Sequence, residues 1–108
     1  MTKDELTAWA LASGWQMIGN CPSLTKPSNP KEAIVRMVFK ATVVQLEVKK
    51  PAGKWEKVSS EGYAKITFDP YTELPNGLNF TQISGLTMLI QDNKDRLAMA
   101  KLGGRSGS

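Results

Sequence analysis

Apolar positions change their spacing several times along this chain, and each spacing predicts an element. Leu6, Trp9, Ala10 and Leu11 recur at helical spacing. Thr2 and Glu5 precede them at capping-box distance, where each side chain satisfies an orphan amide at the helix entrance. Gly14 stands where a left-handed C-cap would end the helix. The pattern predicts a helix over residues 3–13, with Trp9 as a core anchor. The stretch "WQMIG" has the length of a short strand, whereas "NCPSLTKPSNP" holds three prolines and reads as loop or irregular edge structure.

Strand signal resumes at Ala33 and runs to Lys50, further than one unbroken strand usually reaches. Val35, Met37 and Phe39 share one face, with Arg36 and Lys40 on the other; from Val44 onward the apolar set is Val44, Leu46 and Val48. Odd positions become even, and a period of two does not change phase by itself, so a bulge, bend or tight turn is expected at residues 40–42. The next turn lies in "KKPAGKW". Setting Val48 opposite Val58 and Lys50 opposite Glu56 leaves the loop Ala52-Gly53-Lys54 and places Val44, Leu46, Val48, Val58, Ala64, Ile66 and Phe68 on one sheet face. Ser60 and Gly62 interrupt that face and predict a second irregularity. After the turn-rich "FDPYTELPNGLNF", Leu86, Leu89, Ile90, Leu97 and Ala100 return to helical spacing, with "GLTMLIQ" also readable as a strand. The expected fold class is α+β, in the order α-β-β-β-α: an N-terminal helix, an antiparallel three- to four-stranded sheet with a long bent hairpin, and a C-terminal helix, both helices on one face.

Composition narrows the class. At 108 residues with 41% hydrophobic content, the chain suits a single globular domain over residues 1–102. The tail "GGRSGS", residues 103–108, has linker composition and is expected to be flexible, as an appended segment would be. No apolar run reaches the length of a membrane span, and no secretory signal is recognisable at the start, so a cytoplasmic location is expected. The chain has one cysteine and no histidine. It therefore offers no Ser-His or Cys-His relay, no imidazole metal site and no CxxC pair. Cys21, followed by Pro22, reads as a free or buried thiol, and Asp69 and Glu73 in "DPYTE" as turn residues. A non-enzymatic protein without cofactor or metal is the expectation.

Charge supplies the candidate surface. The net charge is +4, yet residues 26–57 hold eight basic residues against three acidic ones, an excess of five, and the rest of the chain is close to neutral. If the even positions face the core, Lys49, Lys57 and Lys65 lie on the solvent face and Arg36 and Lys40 join them. Such a cluster can contact phosphates independently of sequence. The same face carries Glu47 and Glu61 and one aromatic, Tyr63, for stacking. A solvated sheet face with alternating charges accounts for it as well. Trp55, at the rim of the hairpin beside Pro51, is placed to anchor a partner or to close a minor cluster. The order α-β-β-β-α resembles that of the double-stranded-RNA-binding superfold and of small toxin ribonucleases that use it. That resemblance implies a histidine after the first strand, which this chain lacks, and no family is assigned from it. The reading is a small binding or adaptor domain whose working surface is the basic hairpin, with a protein partner or self-association as a homodimer favoured over the alternative, sequence-independent RNA or DNA binding. No membrane partner is expected.

Overall fold

The computed structural model describes residues 1–106, with side chains described through residue 99. Helix α1 (Lys3–Ala12) is followed by strands β1 (Gln16–Ile18), β2 (Cys21–Lys26), β3 (Asn29–Phe39), β4 (Val43–Lys49) and β5 (Trp55–Gly62). A short 3-10 turn (Tyr63–Lys65), strands β6 (Thr67–Asp69) and β7 (Leu74–Asn76), a second 3-10 turn (Phe80–Gln82) and helix α2 (Leu86–Ser106) complete the chain. Strands β1 to β5 form one antiparallel sheet in chain order, and β6 and β7 form a separate hairpin. The fold is α+β, with a helix at each end of the sequence and an antiparallel sheet of five strands. Of the tail expected at residues 103–108, residues 103–106 continue α2, and Gly107 and Ser108 lie outside the described residues.

Local chemistry explains α1 and its end. The Thr2 amide donates to Glu5 Oε1 at 2.9 Å and the Glu5 amide to Thr2 Oγ1 at 3.1 Å, a complete capping box. At the other end Gly14 adopts φ +87°, and the Trp15 amide donates to the Ala10 carbonyl at 3.0 Å, closing a Schellman-type stop. The glycine is required twice over, because a Cβ there would also lie 2.7 Å from the Lys94 backbone nitrogen of α2.

The change of parity between Phe39 and Val44 is a tight turn. These two residues face each other across β3 and β4, and the Lys40 amide donates to the Val43 carbonyl at 2.8 Å. Val35, Met37, Val44 and Leu46 consequently share the inner face. They pack with Leu6, Ala10, Trp15, Leu24, Ile66, Leu78, Phe80 and Leu86 into one core. Trp9, Trp15 and Phe80 form its aromatic corner, with ring centroids 5.6 to 6.2 Å apart.

Three details differ from the expectation. First, β5 is shifted: Val48 faces Glu56, Glu47 faces Lys57 and Leu46 faces Ser59, so Val58 is an extra residue in a bulge. Neither Val58 nor the loop takes the place that period-two pairing gave it; the turn spans residues 50–54, and Lys50 meets Glu56 only through side chains, at 3.2 Å. Second, Ala64 and Phe68 leave the sheet face, because the chain turns into the 3-10 segment after Gly62, and both are exposed. Third, the proline-containing stretch expected as loop contributes β2. Its Pro22, Ser23, Leu24 and Thr25 are all buried, and two register shifts against β3 absorb its irregularity.

Candidate functional site

The structure divides the candidate binding residues between the two ends of the sheet. Arg36 and Trp55 come together on the outer face near the β4–β5 turn, with Lys49 on β4 and Lys57 on β5. Arg36 Nε and Nη2 both reach Glu47 Oε1 at 2.8 Å, and the guanidinium lies 4.0 Å from the centroid of the Trp55 ring. Gln45 adds a bond to Glu47 Oε2 at 3.2 Å. The Arg36 charge is thus neutralised and stacked, an arrangement in which planar geometry and charge reinforce each other. Trp55 is half-buried beneath it. Lys57 stands across from Glu47, and Lys49 across from Trp55.

Lys40, Tyr63 and Lys65 lie at the far end, past the β3–β4 turn and in the 3-10 segment after β5, about 20 Å away given the rise of a seven-residue strand. Tyr63 is not free for stacking on the outer face. Its hydroxyl donates to the Lys40 carbonyl at 2.8 Å, its ring stacks on Phe39 with centroids 6.5 Å apart, and burial pushes its pKa up. Lys3 Nζ sits 5.6 Å over the Phe39 ring. Lys3, Phe39, Lys40 and Tyr63 line a hollow of about 540 Å³ with Thr2 and Ala41, but its two rings are already engaged with each other and with Lys3.

A different surface lies where the β4–β5 turn meets the start of α2. Ile34, Val35, Val48, Ile83 and Leu89 form the floor of a groove of about 690 Å³, with Pro51 and Ala52 on the turn side and Lys26, Lys49, Lys50 and Glu32 at the rim. A second hollow of about 430 Å³ continues it along β5. The two share Val48, Lys50, Ile83 and Ser84, and the second adds Val58, Lys57 and Glu56. Ile34, Val48, Val58, Ile83 and Leu89 are half-buried hydrophobics packed against the core. The groove is therefore an apolar extension of the core that is left open to solvent. Asn93 and Arg96 hold its α2 wall in place: Asn93 bonds the Thr25 backbone, and Arg96 Nη2 donates to the Lys26 carbonyl at 2.8 Å.

Lys49 and Lys57 line this surface and were legible as candidates. Ile34, Ile83 and Leu89 were not, because their sequence pattern only marks them as apolar and nothing local indicates that they stay partly open to solvent. Cys21, at the start of β2 opposite Ile18, is half-buried and free. Asp69 accepts the Tyr71 amide at 2.9 Å in an Asx turn, and its carbonyl accepts the Glu73 amide at 2.8 Å. Among the described residues no three His, Cys, Asp or Glu side chains stand close enough to hold a metal ion, and no helix is long and apolar enough to cross a membrane. Compared with protein-family models, with curated proteins and with solved structures, the chain matches none.

Proposed function

We propose that this protein is a non-enzymatic binding domain of adaptor type, and that it engages a partner protein through the groove between the β4–β5 turn and α2. The observation that carries the reading is the groove's composition: a concave apolar floor continuous with the core, open to solvent and rimmed by lysines. Apolar surface gains about 25 cal/mol for each Å² removed from water, and a concave apolar patch with a polar rim is the usual anatomy of a docking site. The alternative, phosphate contact through the outer face, is weakened by Arg36. Turning its guanidinium to a phosphate would leave Glu47 without its partner and uncover Trp55.

The test is selection of binding peptides from an unbiased displayed library, followed by methyl NMR of the protein with an enriched peptide. The reading expects shifts concentrated on Ile34, Val48, Ile83 and Leu89. Enriched peptides that instead move Ile18, Val38 and Val43 on the outer face, or the absence of any enriched peptide, would contradict it.

A further inference from the structure

We infer that the occupant of the groove is an acidic segment of a different protein, one that carries apolar side chains among Asp and Glu residues, and not a second copy of this chain. The inference rests on the groove reading above and adds the chemistry of the ligand. Among the described residues Lys26, Lys49 and Lys57 make no ion pair, and the only paired rim lysine is Lys50, held by Glu56 at 3.2 Å with both side chains about half exposed. Counting Glu32 and Glu56, the lining thus carries four lysines against two carboxylates, a net positive excess bordering a floor made of Ile34, Val35, Val48, Ile83 and Leu89.

The two features make separate demands on a ligand. The floor selects side chains that shed water readily, and the rim selects carboxylates, steering them in from a distance and fixing their register on arrival. A segment that alternates apolar and acidic residues meets both. A phosphodiester backbone would satisfy the lysines and leave the floor uncovered. A second copy meets neither demand well, because each chain carries a net charge of +4. A two-fold contact through this patch would also bring together two surfaces of the same net positive charge.

Three synthetic peptides with one apolar pattern and with Glu, Gln or Lys at the remaining positions test the inference, titrated into the protein by NMR at low and at high salt. The Glu peptide is expected to bind in the groove about tenfold more tightly than the Gln peptide, the sum of a few partly exposed ion pairs, and the Lys peptide most weakly. The preference should shrink at high salt and in the triple variant Lys26→Gln, Lys49→Gln, Lys57→Gln, whose surface positions leave the fold intact. Equal binding of the Glu and Gln peptides in the groove would overturn the acidic assignment and leave the groove reading standing, whereas failure of all three to bind there would remove both. Displacement of the Glu peptide by a single-stranded RNA oligonucleotide, or a dimer in sedimentation that Val48→Glu dissolves, would also overturn it by giving the surface another occupant.

Discussion

Asn93 stands in for a neighbouring strand. It is 2% exposed, and its Oδ1 accepts from the Thr25 amide at 3.0 Å and from Thr25 Oγ1 at 3.1 Å, while its Nδ2 donates to the carbonyls of Thr25 at 3.0 Å and Leu89 at 2.9 Å. Thr25 sits where β2 loses register with β3, so its peptide groups need a partner from outside the sheet. Asn93→Leu keeps the volume and removes every one of these bonds. It should lower stability by about 2–4 kcal/mol, because buried peptide groups are left unsatisfied. Chemical denaturation reads this directly, and a midpoint equal to that of the parent would mean that α2 does not secure β2 in this way. In the sequence Asn93 lies between Asp92 and Lys94 and looks like one more polar position on a helix. Trp55 shows the same limit. Its place at the hairpin rim was legible, but the guanidinium stacked on it comes from a residue 19 positions earlier in the chain, brought alongside only by the ladder.

At the level of elements, legibility followed the range of the forces involved. Helix α1 was readable because its start and stop are set by neighbours in sequence, and the β3–β4 turn because strand parity is a local property. Strand β2 was not, since its prolines and hydroxyls argue for loop unless the amide of Asn93 and the guanidinium of Arg96, about 70 residues later, are brought in to satisfy them. The β4–β5 register failed for a related reason: period two sets Val48 against Val58, and a bulge moves Val58 out of the ladder. The cap of α1 also carries a pH dependence. Bonding from the Thr2 backbone amide, and then from the Thr2 side chain, holds the Glu5 carboxyl below its ordinary value. A lowered folded-state pKa adds stability above the ordinary glutamate value, and that stability is lost as the pH falls through the lowered one. Glu5→Gln should therefore melt below the parent at neutral pH and converge with it in strong acid. Melting curves that stay parallel over the whole range would place the charge of Glu5 outside the cap's energetics.

For the whole molecule, the sheet has two unlike faces. On the outer one Arg36, Glu47, Gln45 and Trp55 satisfy one another. The inner one is covered by the helices and by the segment carrying Ile66, Leu78 and Phe80, except where the β4–β5 turn meets the start of α2, and there the core opens into the groove. Charge patterning singled out the third of the chain that holds Lys26, Lys49, Lys50 and Lys57, the lysines that line the groove and its continuation. It could not tell which side of the sheet their apolar partners would occupy. The most direct test compares two single substitutions in adjacent strands, Val48→Glu in the groove floor and Val38→Glu on the outer face, by calorimetric titration with a library-selected peptide after both variants are shown to retain the parent's fold. The account predicts that Val48→Glu abolishes binding, because a carboxylate in the floor loses its water when the peptide seats, and that Val38→Glu binds like the parent. Binding lost in Val38→Glu and kept in Val48→Glu would contradict it.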